Sequence, residues 1–258
     1  MMRLTVIGCA GSFPGPDSPA SCYLLTCDQD GRTWQLLLDL GNGALGPLQR
    51  HTDPLALDAV LLSHLHPDHC LDLTALHVMR THHPTARPSG RLPVHAPAGA
   101  AQRLARAHGV QAAESVQDSC DFVELVDRQD LVVGPFTVTP FMVRHPVPAF
   151  GFRVSDGTVT LAYTGDTDTC EALVPLMTGA DLVLAESAFV EGRDTDRGVH
   201  LTGRRAAEAA VLAGGVRRLM LTHIPAWNDP EVCREQAAAV WRDRSPVEIA
   251  EGGLTIDV

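Results

Sequence analysis

The chain has 258 residues, of which 45% are hydrophobic and 20% are charged, so it is long enough to bury a substantial core. Its formal net charge of −11 and the lack of any Lys/Arg-rich run exclude a large basic footprint for nucleic acid. The sequence has no apolar stretch of about 18 residues and no signal-peptide pattern at its start, so we expect a cytoplasmic protein without a membrane partner.

Domain organisation and redox chemistry also follow from the composition. No Gly/Ser-rich linker, low-complexity tract or internal repeat interrupts the chain, which predicts one domain over residues 1–258. The seven cysteines are scattered without a C-x-x-C pair, so neither a disulfide framework nor a thiolate zinc site is expected.

Three strands are predicted at the start of the chain, over Leu4–Gly8, Cys22–Cys27 and Trp34–Leu38. The Gly/Pro/Ser-rich stretch Cys9–Pro19 is predicted to be a loop. Asp39 closes the third strand before a Gly-rich turn. This carboxylate either starts the turn or accepts a hydrogen bond that orients a nearby histidine loop, and both alternatives stay open.

The stretch Ser63–Cys70 reads S-H-L-H-P-D-H-C and follows a short apolar run, Asp58–Leu62, that predicts a buried strand. An H-x-H-x-D-H pattern is more specific than most short motifs, because it concentrates metal-binding side chains in one loop. Its members are His64, His66, Asp68 and His69. We therefore expect this loop to bind metal.

Helices are predicted over Leu71–Met79 and Ala98–His108, with a loop over Thr81–Gly90 and a strand over Leu92–His95. Five histidines in this region have no metal-binding spacing, so we interpret them as surface or helix-face residues. They are His77, His82, His83, His95 and His108.

The rest of the chain predicts a β-rich run followed by strands that alternate with helices. Strands are expected over Phe122–Val126, Leu131–Val133, Phe136–Val143, Phe150–Val154, Thr158–Tyr163, Leu182–Ala185, Leu219–Thr222, Val247–Ala250 and Leu254–Val258. Asp168 is predicted to cap a helix with Glu171, and Thr202 to cap an Ala-rich helix that ends at Ala213. A last helix is predicted over Pro230–Arg242.

Five candidate residues share one position, since each stands at or just past the end of a predicted strand. They are His64, His145, Asp166, Glu186 and His223. Histidine and carboxylate ligands suit zinc, manganese or iron. Two such metals, about 3.5–4 Å apart, hold a hydroxide and stabilise both oxygens of a phosphoryl displacement, which predicts a hydrolase.

The full pattern, from H-x-H-x-D-H through His145, T-G-D-T at Asp166 and L-T-H-I at His223, resembles the metallo-β-lactamase superfamily. The resemblance implies an α/β fold, a four-layer αβ/βα sandwich with a binuclear site at one edge. It implies that His64, His66 and His145 hold one metal, that Asp68, His69 and His223 hold the other, and that Asp166 bridges them. Asp39 matches the family's aspartate behind the ligands. Zinc is the expected metal, with manganese and iron as alternatives.

His200-Leu201-Thr202 resembles an element of the tRNA 3′-processing endonucleases and their phosphodiesterase relatives, 223 − 200 = 23 positions before His223. The resemblance implies that His200 protonates the departing 3′ oxygen and that Glu186 orients it. Asp68, His200 and Glu186 are thus the predicted catalytic residues. Those endonucleases grip tRNA with an arm between the positions of His145 and Asp166, but here the gap is only 166 − 145 = 21 residues.

Four further stretches resemble the actinobacterial atypical class II cyclic nucleotide phosphodiesterases. They are G-C-A-G-S-F-P-G-P-D-S-P-A-S, L-G-P-L-Q-R-H, H-P…R-P-S-G and L-T-H-I-P-A-W. The resemblance implies hydrolysis of 3′,5′-cyclic nucleotides, cyclic AMP first, to 5′-monophosphates, with RNase Z-like cleavage of RNA 3′ ends as the alternative. A small nucleotide is the expected binding partner, and binding of extended RNA is not expected. A homodimer is expected because relatives commonly form dimers. Trp227 either stacks on a base or is a buried structural residue, and Ser12, Phe13 and Ser21 are weaker rim candidates.

Overall fold

The computed structural model describes residues 1–86, 88–110 and 114–258, and within them fourteen strands form two sheets of seven. The first sheet has the order β14 (Thr255–Asp257), β1 (Met2–Gly8), β2 (Cys22–Gln29), β3 (Arg32–Leu38), β4 (Ala59–Leu61), β5 (Leu92–Ala96) and β6 (Cys120–Glu124). The second has the order β13 (Glu248–Ile249), β12 (Arg218–Thr222), β11 (Leu182–Glu186), β10 (Thr160–Tyr163), β9 (Phe150–Ser155), β8 (Phe136–Met142) and β7 (Leu131–Val133).

Helices cover the outer face of each sheet. They are α1 (Leu45–Leu48), α2 (Pro67–Cys70), α3 (Leu73–His82), α4 (Ala100–His108), α5 (Glu114–Gln117), α6 (Leu173–Met177), α7 (Gly203–Ala213) and α8 (Pro230–Ala238), with a 3-10 turn at Pro54–Ala56. The apolar residues of α3 and α4 pack on the first sheet, and those of α6, α7 and α8 pack on the second. The predicted four-layer αβ/βα sandwich is confirmed.

The main core lies between the two sheets, because alternate residues of strands from both sheets point into it. Tyr23 of β2 and Tyr163 of β10 meet there with ring centroids 5.1 Å apart, and both are fully buried. Their hydroxyls find polar partners at the edge of the core, Thr222 and Asp39. The core is therefore joined by hydrogen bonds to the strand ends where the candidate site lies.

Parallel pairing sets the position of that site. Strands β3 to β6 run parallel to one another, as do β10 to β13. Their carboxyl ends therefore emerge along the same edge of each sheet. A backbone hydrogen bond from Phe150 N to Ser63 O, 2.9 Å, ties the two sheets together at this edge.

Most predicted elements are present, but α1, α5 and the 3-10 turn have no predicted counterpart and several boundaries differ. Asp168 does not cap a helix, since α6 begins after Ala172 without any side-chain cap. The helix after the histidine loop is divided into α2 and α3. The last helix ends at Ala238 instead of Arg242, because the chain turns to place Trp241 in the core.

The cap predicted at Thr202 is confirmed, since its side chain accepts a hydrogen bond from Arg205 N at 3.2 Å. Of the loop predicted at Thr81–Gly90, the first two residues extend α3 and Arg87 lies outside the described residues. In the part of the chain that the structure describes, no helix is long and apolar enough to cross a membrane.

Candidate metal centre

The structure brings all seven predicted ligands together at the common edge of the two sheets. Among the described residues, three groups offer ligand atoms within 4.8 Å of one another. They are His64, His66 and His145; Asp68, His69, Asp166 and His223; and His145, Asp166 and His200. His64, His145, Asp166 and His223 follow the carboxyl ends of β4, β8, β10 and β12 within three positions, as the strand-end pattern predicts. Asp68 and His69 lie in the short helix α2, and His200 lies in the connection between β11 and α7.

Three imidazoles converge in the first group. His66 Nδ1 lies 3.0 Å from His64 Nε2 and 3.2 Å from His145 Nε2. His64 and His145 direct their Nδ1 atoms at Ser63 Oγ and Val199 O, so their Nε2 atoms carry lone pairs. One proton on His66 cannot satisfy both lone pairs, whereas a cation between the three nitrogens satisfies all of them.

The second group is centred on the Asp166 carboxylate. Asp166 Oδ1 lies 3.2 Å from His69 Nε2, and Asp166 Oδ2 lies 3.2 Å from His223 Nε2. Asp68 Oδ2 is 3.4 Å from His69 Nε2 and 3.8 Å from His223 Nε2. Asp166 Oδ2 is also 3.7 Å from His64 Nε2, so this one carboxylate lies between the two groups.

Unsatisfied atoms in this group indicate what the cluster is built to hold. His69 Nε2, His223 Nε2 and Asp166 Oδ1 are buried, and none of them has a hydrogen-bond partner among the described residues. Buried polar atoms without partners are rare and costly unless an ion satisfies them. Nitrogen and carboxylate donors without cysteine suit zinc, manganese or iron. The cluster is therefore able to bind metal ions.

Hydrogen bonds behind the ligands fix the orientation of four imidazoles through the Nδ1 atom of each. The partners are Ser63 Oγ at 3.1 Å for His64, Asp39 Oδ2 at 2.8 Å for His69, Val199 O at 2.9 Å for His145 and Ser21 Oγ at 3.0 Å for His223. A partner on Nδ1 selects the tautomer whose Nε2 is free to ligate. The cluster is thus pre-oriented from outside.

Asp39 is the central acceptor of this outer set. Its Oδ1 accepts from Ser63 N at 2.7 Å, and its Oδ2 accepts from Ser63 Oγ at 2.8 Å and from Tyr163 OH at 2.7 Å, in addition to His69. The residue is fully buried and has a φ of 59°. A buried carboxylate with this many donors orients the histidine loop, so the contacts favour that alternative over a simple turn start.

Burial and neighbouring charges set the protonation of the cluster. Burial lowers the pKa of His64, His145 and His223 below the usual histidine value, which keeps these imidazoles neutral and able to ligate. Burial also disfavours the charged form of Asp166, but the surrounding imidazoles, His223 first, outweigh it and hold the pKa of this carboxyl well below its usual range. For His69 the burial effect is again outweighed, by Asp166 and Asp39, so its pKa is raised.

His200 lies beside the cluster and is held by Glu186. His200 Nδ1 is 2.9 Å from Glu186 Oε1, and its ring lies against those of His145 and His223, with centroids 5.4 and 5.6 Å away. Glu186 is fully buried and also accepts from Thr167 N at 2.9 Å. Burial lowers the pKa of His200, but the Glu186 carboxylate outweighs this and raises it to about 9. Glu186 therefore favours the protonated form of His200.

Several contacting residues were not found from the sequence. Ser63, Tyr163 and the Val199 carbonyl contact the predicted ligands or Asp39, but single hydroxyls and carbonyls leave no pattern. Ser21, a rim candidate from the sequence, is instead fully buried and bonds His223 Nδ1. Asp168, predicted as a cap, instead accepts from Gly198 N at 2.7 Å and pairs with Arg205, two elements away. It thereby holds the segment that carries Val199 and His200.

Trp227 and the remaining histidines are also placed. The alternative of a buried structural Trp227 is wrong, because 65% of this side chain is exposed. Trp227 contacts Phe13 with ring centroids 4.7 Å apart.

The five histidines interpreted as surface or helix-face residues are in none of the groups of possible metal ligands found among the described residues. His77 among them is buried, and it bonds Ser119 Oγ at 2.7 Å.

Comparisons with known proteins agree with this geometry. Residues 35–224 match the family model of the beta-lactamase superfamily domain. The uncharacterized protein Rv1339 of Mycobacterium tuberculosis is 43% identical over 92% of this chain and 86% of its own length. The probable metallo-hydrolase YhfI of Bacillus subtilis is 30% identical over 98% of both chains, and its crystal structure matches with a TM-score of 0.84 over 100% of both. Ribonuclease Z of Myxococcus xanthus is 26% identical over 100% of this chain and 98% of its own.

Proposed function

This chain belongs to the beta-lactamase superfamily of metallo-hydrolases, and we propose that it is a phosphodiesterase that opens 3′,5′-cyclic nucleotides, cyclic AMP first, to 5′-monophosphates. Two divalent cations are part of the proposal, zinc first, with manganese and iron as alternatives that the same donors accept. His64, His66 and His145 would hold one cation, Asp68, His69 and His223 the other, and Asp166 would lie between them. This assignment is supported by the two groups of converging ligand atoms.

When bound, the cations supply a water that is activated at neutral pH and positive charge that offsets the charge growing on the phosphate. The residues of the chain do the remaining work. The inner histidines and carboxylates fix where a phosphate can lie, because the outer hydrogen bonds hold their rings in one orientation. His66 and His145 are half-buried, whereas Asp68 is buried, so the cluster is most open on the side of these two imidazoles.

The observation that carries the proposal is the pair of His200 and Glu186. Hydrolysis of a phosphodiester expels an alkoxide, which needs a proton from an acid near the site. His200 keeps its Nδ1 proton on Glu186 at 2.9 Å, so its Nε2 proton is the one available to the departing 3′ oxygen. A protonated imidazole next to the ligands His145 and His223 is therefore placed for this transfer.

Cleavage of RNA 3′ ends in the manner of ribonuclease Z is the second candidate. The identity to Myxococcus xanthus ribonuclease Z over the whole chain favours it, and the same chemistry at His200 would serve both substrates. Against it stands the short connection between His145 and Asp166, which contains only the antiparallel β9 and β10 and the turn between them. The net charge of −11 also disfavours a long polyanion.

The decisive experiment compares substrates on the purified, metal-loaded protein. We expect turnover of 3′,5′-cyclic AMP to 5′-AMP, measured by chromatography, with little turnover of 2′,3′-cyclic AMP or of a 3′-extended pre-tRNA. Removal of the tRNA trailer without hydrolysis of any cyclic nucleotide would select the ribonuclease alternative and refute the proposal.

A further inference from the structure

Two aromatic side chains, the exposed Trp227 and the half-buried Phe13, pair on segments next to the ligand cluster. The rings of Phe13 and Trp227 have centroids 4.7 Å apart and planes inclined by 44°. Even with Phe13 in contact, 65% of the Trp227 side chain stays exposed to solvent. A large indole left open to this extent gains little from folding, so its position calls for another explanation than burial.

The loop that carries Phe13 lies directly against His223. A Cβ on Gly11 would lie 2.3 Å from the carbonyl oxygen of His223 and 3.0 Å from Cδ2 of its ring, so only glycine permits this approach. Ala10 forms a β-bridge with Ile224, the residue after His223. Phe13 is therefore two residues from a point of fixed contact with a cluster residue.

Trp227 is anchored to the same point from the other side. It lies four residues after His223, in a turn closed by Asn228 N donating to Pro225 O at 2.8 Å. The buried Asn228 side chain donates to Ala188 O, also at 2.8 Å, which holds this turn against the chain that follows β11. Both rings are thus mounted on backbone that is tied to the cluster, not on free loop tips.

The backbone that presents Phe13 is strained. Ser12 has a φ of 65°, and Phe13 N donates to Gly11 O at 2.7 Å, which closes a three-residue turn around Ser12. Such a turn with a positive φ is rare and costs free energy for a residue other than glycine. Strain of this kind persists where the surrounding structure enforces it, and it is concentrated at functional sites.

We propose that Phe13 and Trp227 form the subsite that stacks against the base of the nucleotide substrate, an inference that rests on the proposed phosphodiesterase function. The exposed indole of Trp227 offers a π face on which a purine or pyrimidine ring can stack, and Phe13 packs against it at an inclination of 44°. A chain with a net charge of −11 does not attract an anion through its overall field. The proposed cations would bind the phosphate, and this pair supplies a separate contact with the uncharged base.

The test uses the metal-loaded protein and its Trp227→Ala and Trp227→Phe variants. Calorimetry gives the Kd for 5′-AMP and for ribose 5-phosphate, which lacks the base, and steady-state assays give KM for 3′,5′-cyclic AMP. Leu212→Ala is the matched control, because it removes an exposed apolar side chain, 74% exposed, from α7. Circular dichroism checks the fold of each variant.

We expect Trp227→Ala to raise the Kd for 5′-AMP and the KM for 3′,5′-cyclic AMP roughly 5- to 100-fold, the range for loss of one stacked base. Binding of ribose 5-phosphate stays unchanged, Trp227→Phe recovers most of the loss, and Leu212→Ala resembles the unmodified protein. Two results overturn the subsite. One is that Trp227→Ala has the same Kd for 5′-AMP and the same KM for 3′,5′-cyclic AMP as the unmodified protein. The other is that Trp227→Ala weakens binding of ribose 5-phosphate as much as binding of 5′-AMP.

Two other outcomes distinguish the base-stacking subsite from the proposed reaction and from a contact between two copies of the chain. If the unmodified protein binds 5′-AMP through Trp227 but hydrolyses no cyclic nucleotide, the subsite stands and the proposed reaction fails. If sedimentation shows that Trp227→Ala converts a dimer into a monomer while the Kd for 5′-AMP is unchanged, the pair is a contact between two copies of the chain and the subsite is overturned.

Discussion

At the scale of single residues, substrates with different leaving groups test whether His200 acts as an acid or only supports the site. His200→Ala removes the imidazole that Glu186 holds at 2.9 Å. We expect kcat on 3′,5′-cyclic AMP to fall about 10²- to 10⁴-fold, as for loss of a general acid. Hydrolysis of a 4-nitrophenyl phosphodiester, whose leaving group needs no proton, should change much less.

The metal content of His200→Ala, measured by mass spectrometry, is the control for this variant. It should equal that of the unmodified protein, because the proposed ligand set does not include His200. An equal loss on both substrates would show that His200 supports the cluster rather than the leaving group.

Asp39 is the residue whose charge orients the cluster without belonging to it. The two oxygens of Asp39 now face donors from Ser63, Tyr163 and His69. Asp39→Asn replaces one of these oxygens with an NH₂ group, which cannot accept their hydrogen bonds. We expect metal affinity, measured by competition with a chelator, to fall about 10- to 100-fold, as for loss of a partner behind a ligand. Asp53→Asn is the matched control, since Asp53 is exposed and asparagine also caps its 3-10 turn.

At the scale of elements, Asp168 joins the loop after β10 to the start of α7. It is 2% exposed and pairs with the buried Arg205, while its Oδ2 accepts from Gly198 N at 2.7 Å. Asp168→Ala leaves the buried guanidinium with only Thr202 and a more distant Glu191 carboxylate, so we expect a loss of about 3 kcal/mol in the free energy of unfolding. Urea denaturation followed by circular dichroism measures it.

A surface ion pair provides the comparison for this loss. Arg3 and Asp257 are more than half exposed, and water screens their attraction. Asp257→Ala should therefore change stability by no more than about 1 kcal/mol. If the two variants were equally stable, Asp168 would not hold the two elements together.

Element boundaries were predictable where local chemistry decides them. Thr202 caps α7 as expected, because a threonine hydroxyl three residues before a free backbone N–H is a local signal. Asp168 showed the same local signal before Glu171, yet its carboxylate is committed to Arg205 and Gly198. Gly198 and Arg205 are distant from Asp168 in the sequence, so the residues next to Asp168 could not show that its carboxylate binds them instead of capping a helix.

At the scale of the whole molecule, metal binding should couple to folding. The cluster exists only when both sheets are in place, so cations bind the folded chain in preference to the unfolded one. With metal at about 100 times its Kd, the expected stabilisation is about 2.7 kcal/mol, or roughly 5–10 °C in Tm. Calorimetry of the chelated protein, before and after addition of zinc, manganese or iron, measures this shift and orders the metals.

The matched variant for this experiment is Asp166→Asn, which alters the carboxylate that lies between the two groups of ligands. Its Tm should respond far less to added metal than that of the unmodified protein. A chelated protein with the same Tm and the same hydrolytic activity as the metal-loaded one would contradict a metal role altogether.

The sequence by itself determined which residues come together. Short apolar strands that end in His64, His145, Asp166, Glu186 and His223 are local patterns, and parallel strands bring their carboxyl ends to one edge. The four-layer fold was implied by the resemblance of this motif set to the metallo-β-lactamase superfamily, which covers nearly the whole chain, and both the fold and the family are confirmed.

Only the tertiary structure decided how those side chains are held and what surrounds them. Ser21 meets His223 across 202 positions, and Tyr163 meets Asp39 across 124. Trp227 is exposed against Phe13 because Gly11 allows one loop to lie on another. The sequence around a serine, tyrosine or tryptophan does not show which distant group its side chain will contact. Its hydrogen bond or ring contact is set by which atoms the two packed sheets bring within reach.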